Sequence, residues 1–320
     1  MAIAPRGRPR IGITLGDPRG IGPEIVAAVR SDEEVSESAE LVLIGPAGTT
    51  AGEPDEEIGS WRSDEGNATA GRLAGLAIER AISVALSGQV DALVTAPIDK
   101  AAFHAGGWHF PGHTEMLRDL TGVSAVAMMM AAERTRLGGP LRVVLATTHL
   151  PLRSVASTIS ADLLVQQATL THDALRDRWG IAQPRIALCA FNPHASDGGR
   201  FGDEEARIYA PALEALGLSG IDTTGPIPAD SVYRRAVAGE FDAVIAPYHD
   251  VGMAPFKTVS FGTGVNVTLG LPFPRTSPDH GTALDIAGSG RANPASMREA
   301  VRLAARLSGQ FRTPLVSDPL

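Results

Sequence analysis

The sequence predicts an α/β protein built on parallel sheet, and three observations carry that prediction. Short continuous apolar runs at Val143 to Ala146, Ile186 to Ala190 and Ala243 to Ala246 read as buried strands. The helical stretches Ala161 to Trp179 and Glu204 to Leu216 between them are long enough for right-handed crossovers. Each run also breaks into a polar segment with a histidine at the strand end: Thr147-Thr148-His149, Phe191-Asn192-Pro193-His194 and Pro247-Tyr248-His249. With 320 residues the chain exceeds the size at which single cores divide, so two domains are expected.

Taken in order, Ile11 to Leu15 is a strand that breaks into Gly16-Asp17-Pro18-Arg19-Gly20-Ile21-Gly22-Pro23-Glu24 and then a helix from Ile25 to Val29. Pro23 suits a first helical turn and Glu24 complements the helix dipole. A dinucleotide fingerprint is not met, because no third glycine follows Gly20-x-Gly22 and no acidic residue ends a second strand at the required distance. Leu41 to Ile44 is a second strand, and residues 45–69 read as a polar loop or poorly ordered connection. Ala70 to Ser87 is an amphipathic helix with Leu73, Leu76, Ala77, Ile82 and Leu86 at helical spacing. Strand Ala92 to Thr95 leads into Ala96-Pro97-Ile98-Asp99-Lys100, and residues 106–115 hold His109 and His113 in a glycine-containing loop. Met128, Met129 and Met130 read as core filler.

The net charge of -8, from 28 Lys and Arg against 36 Asp and Glu, excludes nucleic acid as a partner and leaves basic residues to act singly as anion clamps. The one cysteine, Cys189, lies in an apolar run, which suits a buried thiol in a reducing compartment. The first ten residues carry no signal-peptide pattern, and the longest apolar run, Val123 to Ala132, is too short to span a bilayer. A cytoplasmic protein with no membrane partner is expected.

Chemistry concentrates in residues 241–293. Three imidazoles at the carboxyl ends of parallel strands converge where α/β proteins place ligands, and His149, His194 and His249 suit one divalent metal; singly, each reads as an ordinary hydrogen-bonded loop residue. His172, inside a predicted helix, reads as surface or packing. Lys257, Arg275 and the His113-Thr114 pair are candidates for an anionic substrate, against surface ion pairing. Residues 16–24 and 280–293 are turns by default, although small residues also admit a nucleotide.

The motifs Gly16-Asp17-Pro18-x-Gly20-Ile21-Gly22-Pro23-Glu24, Thr95-Ala96-Pro97-Ile98-x-Lys100, Gly112-His113-Thr114-Glu115, Asn192-Pro193-His194-Ala195, Tyr248-His249-Asp250 and Asn266-Val267-Thr268-Leu269-Gly270-Leu271-Pro272 resemble the 4-hydroxythreonine-4-phosphate dehydrogenase family nearly end to end. More distantly, His280-Gly281-Thr282-Ala283-x-Asp285-Ile286-Ala287-Gly288 with Ala292-Asn293-Pro294 is similar to the cofactor loop of isopropylmalate and isocitrate dehydrogenases. The resemblance implies a two-domain, largely parallel α/β fold with the site in the interdomain cleft. Residues 1–122 with 260–320 would form one domain and 123–259 the other, the latter carrying the histidines and dimer contacts.

Also implied is NAD- or NADP-dependent oxidation of 4-phosphooxy-L-threonine, with decarboxylation to 3-amino-2-oxopropyl phosphate, in pyridoxine biosynthesis. One zinc, magnesium, manganese or cobalt ion, on His149, His194 and His249, would hold the substrate hydroxyl while the nicotinamide accepts hydride. Substrate contacts fall on His113, Thr114, Lys257, Asn266 and Arg275. Cofactor contacts fall on His280, Gly281, Thr282, Ala283, Asp285 and Asn293. Asp230 lies near the neighbouring subunit's substrate, which implies a homodimer with shared sites, and Asp250, Lys100 and Asp230 all stand as possible general bases. The sequence departs from the family pattern at Arg19, Ser196-Asp197, Val251 and Thr263, and residues 45–69 are shorter than usual. A threonate or erythronate phosphate, or a dihydrodiol carboxylate, is the alternative substrate; a three-His hydrolase and a non-catalytic metabolite-binding protein are the alternatives of different class.

Overall fold

The computed structural model describes residues 7–260 and 262–309. The end of the expected first domain, residues 310–320, lies outside them. The first part of the chain runs β1 (Arg10–Thr14), α1 (Gly22–Arg30), α2 (Glu33–Ser38), β2 (Glu40–Ala47), β3 (Glu56–Ser60), α3 (Asn67–Leu86), β4 (Ala92–Thr95), α4 (Lys100–Ala105) and α5 (His113–Thr121). It continues through β5 (Ala127–Ala132), β6 (Leu141–Leu145), α6 (Leu152–Thr158), α7 (Ala161–Asp177) and β7 (Ile186–Cys189). A π-type turn at Glu205–Tyr209 then feeds α8 (Ala210–Leu218), followed by β8 (Thr223–Ile227), α9 (Ala229–Val237), β9 (Ala243–Ala246) and α10 (His249–Ser260). Finally come β10 (Val265–Leu269), β11 (Arg275–Pro278) and α11 (Ala295–Gly309).

All eleven strands form one sheet in the order β3-β2-β1-β4-β11-β10-β5-β6-β9-β7-β8. Pairs on both flanks are parallel, and the three central ones, β11 with β10, β10 with β5 and β5 with β6, are antiparallel. The late strands β10 and β11 are thus inserted between β4 and β5, which follow one another along the chain. Cross-strand partners share a face, and residues two apart along a strand share it too. Two rows result: Arg275, Thr268 and Met128 are paired in one, and Ser277, Asn266 and Met130 in the next. Met129 faces the opposite way into the core, fully buried.

Local chemistry sets the helix starts. Asp32, Asp99 and Ser160 accept from the N–H groups of Val35, Ala102 and Leu163 and so cap α2, α4 and α7. Gly16 sits at φ +68, where an added Cβ would lie 2.3 Å from the Pro97 carbonyl oxygen, so the loop after β1 lies flat against the segment after β4.

Several expectations are corrected. Residues 45–69 are no loose connection: they hold β3 on the sheet edge, the nearly buried Trp61, and the first turn of α3. Leu86 is 41% exposed and does not join the buried face of α3. His113 opens α5, His249 opens α10, and Lys257 rides on α10, so none of them belongs to a loop or a strand end. Asp230 lies exposed in the first turn of α9, whose N-cap is Pro228. Met128 and Met130 line a cavity and are not simple filler.

Candidate active site

The face carrying the two rows forms the floor of a cavity of about 1020 Å³. One wall is the segment after β4, with Lys100, and the N-terminus of α5, with His113 and Thr114. The facing wall is the segment after β6, with His149, and α10, with His249, Asp250 and Lys257. Asn266 and Arg275 rise from the floor, and His280 and Gly281 follow β11 at the rim. The remaining predicted site residues, His194, Asp230, Thr282, Ala283, Asp285 and Asn293, do not line this cavity.

Arg275 is 2% exposed, yet no carboxylate pairs with it. Its guanidinium donates only to hydroxyls, Thr268 Oγ1 at 3.0 Å and Thr95 Oγ1 at 2.5 Å, and its Nε has no partner. Burial pushes its pKa down to about 10 against the opposing pull of Glu115, so it stays charged at neutral pH. Burial, reinforced by Arg275, holds the His113 imidazole well below its usual pKa, and His113 Nε2 is buried without a partner. Asn266 Oδ1, Gln167 Oε1 and His280 Nε2 are buried and unpartnered as well. Buried polar atoms are rarely left so, and their concentration on one cavity describes the outline of a polar ligand. Gly112, at the N-cap of α5, offers no side chain to the first-turn N–H groups, which leaves the positive end of that helix open.

Opposite this recess the rings of His149 and His249 lie 5.4 Å apart, centroid to centroid. They leave neighbouring parallel strands, β6 and β9, whose register pairs Leu145 with Ala246. Burial, with Lys100 and His249 nearby and Glu115 opposing, lowers the His149 pKa, so its ring is neutral at pH 7 and has a lone pair to donate. Asp250 Oδ1 is 2.7 Å from His249 Nδ1; a carboxylate only accepts, so Nδ1 carries a hydrogen and Nε2 is the atom through which the ring would bind a metal. Two imidazoles so placed fit a divalent cation as donors. Among the described residues, however, no three His, Cys, Asp or Glu side chains converge.

His194 follows β7, the strand on the other side of β9, and does not line the cavity. His194, Ala195, Ser196, Asp197, Gly198 and Gly199 all have left-handed φ, from +46 to +93. Such a conformation costs about 1 kcal/mol or more at each non-glycine position and persists only where neighbours enforce it. The neighbour here is Glu205. Burial raises its pKa, but hydrogen bonds from Ser196 and Asn192 outweigh burial and hold it below the ordinary carboxylate value.

The segment 280–293 packs on the loop after β1. Ile21 N–H donates to Thr282 O at 2.9 Å, and a Cβ on Gly20 would lie 2.9 Å from the same oxygen. Glu24 extends the clamp, accepting from the N–H groups of Gly288 at 2.8 Å and Ala292 at 3.1 Å. The glycine loop therefore supports this segment, and Glu24 does more than complement a helix dipole. Asn293 Oδ1 accepts from Ala295 N–H at 2.9 Å and turns the chain into α11; Asp285 is exposed. His280 Nδ1 lies 3.2 Å from the Gly281 carbonyl and donates to it, and in the neutral ring the buried Nε2 is an acceptor. An acceptor and a bare glycine at the rim fit a nicotinamide carboxamide.

Sequence reasoning passed over Glu115, Gln167, Ser277 and Asp279, all of which line the cavity. Glu115 follows the His113-Thr114 pair directly and was visible there. Gln167 belongs to the middle of a long helix, where nothing marks it.

The fold and the cavity define an α/β protein whose buried Arg275 and pair of histidines share one polar cavity. Residues 28–304 match the family described as pyridoxal phosphate biosynthetic protein PdxA, and the chain belongs to that family. A relative from Chromobacterium violaceum, named 4-hydroxythreonine-4-phosphate dehydrogenase, is 42% identical over 94% of this chain and 98% of its own. Another from Cupriavidus necator, named D-threonate 4-phosphate dehydrogenase, is also 42% identical, over 94% of this chain and 97% of its own. The crystal structure of 4-hydroxythreonine-4-phosphate dehydrogenase from Klebsiella pneumoniae superposes with a TM-score of 0.82 at 38% identity, covering 94% and 99% of the two chains. A β-decarboxylating dehydrogenase from Thermococcus kodakarensis shares the fold alone, with a TM-score of 0.54 at 18% identity over 94% and 81%. The α/β fold of the dehydrogenase type expected from the sequence is thereby borne out. No helix among the described residues is long and apolar enough to cross a membrane.

Proposed function

We propose that this chain oxidises 4-phosphooxy-L-threonine with NAD or NADP and a divalent metal, and that decarboxylation gives 3-amino-2-oxopropyl phosphate. One observation carries the reading: a fully buried Arg275 without a carboxylate partner, beside a neutral, unpartnered His113. A phosphate supplies the missing charge, accepting from Arg275, His113 and the open first turn of α5 with Thr114. Lys257, whose Nζ donates to Asp279 O at 3.3 Å, adds a second cation at the rim.

His149 and His249 would hold the metal, with His194 as third ligand; when bound, the metal acts as a Lewis acid on the substrate oxygens. Asp250 keeps His249 in the donating tautomer, and Asp250, Lys100 and Asp230 stand as candidates for taking the hydroxyl proton. The cofactor lies along His280, Gly281, Thr282 and Ala283, with Asp285 and Asn293 beyond. In this reading residues 1–122 with 260–320 form one wall unit and 123–259 the other. Because one chain brings two imidazoles together and leaves His194 outside, a second copy completes the centre, with Asp230 reaching the partner's substrate.

The test is absorbance of reduced nicotinamide with 4-phosphooxy-L-threonine, with and without a chelator. No reduction in the presence of metal overturns the reading. The relative named for D-threonate 4-phosphate at equal identity favours a second substrate, and the ratio of kcat/KM for the two compounds decides between them. Mixed chains of Asp230→Ala and His249→Ala, each inactive alone, regain activity if the sites are shared; failure after confirmed subunit exchange removes the second copy from the site.

A further inference from the structure

We propose that Glu205 is a positioning residue for the metal centre: its carboxylate fixes the left-handed turn that presents His194. The inference rests on the reading of His194 as a metal ligand. Glu205 is 6% exposed, and every hydrogen bond recorded to its carboxylate comes from the segment that flanks His194. Oε1 accepts the N–H groups of Phe191 at 3.1 Å and Asn192 at 2.7 Å. Oε2 accepts Asn192 Nδ2 at 2.9 Å and the Ser196 hydroxyl. These donors lie on both sides of His194, so one rigid carboxylate spans the turn that carries the imidazole.

The π-type turn at Glu205–Tyr209 aims the carboxylate, and the buried Tyr209 on the same turn donates to Cys189 O at 2.9 Å, tying the anchor back to β7. Among the described residues no cation pairs with Glu205. Four donors converging on a buried anion are therefore what stabilise it, and the same donors hold the His194 segment out of the right-handed basin. Ser196, at φ +70, holds a conformation that glycine would adopt without strain, but its hydroxyl gives Glu205 a bond that glycine would lack.

The experiment measures Co²⁺ affinity of the full-length protein by competition with a chromogenic chelator, together with the visible spectrum of the cobalt-loaded protein. Glu205→Gln replaces one acceptor oxygen by an amide NH₂ that faces donors, and is expected to weaken Co²⁺ by about 10–100-fold and to shift the spectrum. Ser196→Ala keeps the strain and removes the hydroxyl, so its affinity falls, whereas Ser196→Gly stays near that of the unsubstituted protein. His194→Ala separates the two layers. If His194→Ala binds Co²⁺ unchanged, His194 is no ligand and both readings fall. If His194→Ala is weakened and a folded Glu205→Gln keeps full affinity and spectrum, the ligand stands and the proposal is overturned. Should Glu205→Gln not fold, unchanged affinity in Ser196→Ala overturns it equally.

Discussion

Two buried arginines, Arg142 and Arg275, show how the same residue type serves structure in one place and a ligand in another. Arg142 is 7% exposed and satisfied throughout: it donates to Glu133 at 3.1 and 2.8 Å and to Asp242 O at 3.2 Å, and stacks 5.6 Å from the Trp179 ring. Glu133 is shared in turn with Trp179 Nε1 and Arg306, so the group braces β5 and β6 against α7 and α11. Arg275 is more buried still, and has two hydroxyls, no carboxylate, and an unpartnered Nε. A buried cation without its anion is costly, and in the proposed function the substrate's phosphate supplies that anion. Burial alone does not separate the two; the state of the partners does.

The largest expected effect is on Arg275→Met. It should lower kcat/KM for the phosphorylated substrate by roughly three orders of magnitude, about 4 kcal/mol, as for a truncated buried charge contact. Its melting temperature should hold or rise, since an uncompensated cation has been removed; a large loss of stability would make Arg275 another Arg142. Arg142→Met should do the reverse, costing about 3 kcal/mol of unfolding free energy by denaturant titration and leaving KM unchanged. Glu24→Gln keeps one acceptor for two N–H groups, and should raise KM for the nicotinamide by about tenfold, about 1.4 kcal/mol, with the substrate KM unmoved. If both constants move together, Glu24 holds the whole cavity and not the segment 280–293.

The smallest effect is a slope. The folded-state pKa of His113 lies well below its ordinary 6.5, so between those values the unfolded chain binds a proton that the folded chain refuses. Stability is therefore full above pH 6.5 and falls as pH drops through that window. His113→Gln should flatten the fall, leaving only the weaker contribution of His149. An unchanged slope would mean that His113 is hydrated in the folded protein.

Much of the flanking sheet was legible, because β4 and β9 are fully buried and, Thr95 at the end of β4 apart, apolar throughout. The edge strand β3 was not: its sequence is Glu56-Glu57-Ile58-Gly59-Ser60, one apolar residue among charges, as edges often are. The metal-type histidines were visible because they end apolar runs, yet that pattern could not show that His149 and His249 line the cavity and His194 does not. Arg275 stood out as an anion clamp, but its burial was not legible, because only the pairing of β11 with β10 and β4 buries it. Glu24 and Glu205 act on backbone N–H groups far away in the chain or on a turn of unusual geometry, and neither leaves a spacing to recognise.

The insertion of β10 and β11 between β4 and β5 sets a timetable for synthesis. β4 and β5 have been made by residue 132, but the strands that cover their facing edges end at residue 278. At 5–20 residues per second the ribosome leaves those edges open for on the order of ten seconds. The waiting edge of β5, Ala127-Met128-Met129-Met130-Ala131-Ala132, carries no charge and no proline, the composition that pairs most readily with another chain. Arg275 and Asn266 arrive on the strands that close the gap, so the anion recess and the protection of the nascent sheet are completed in the same event.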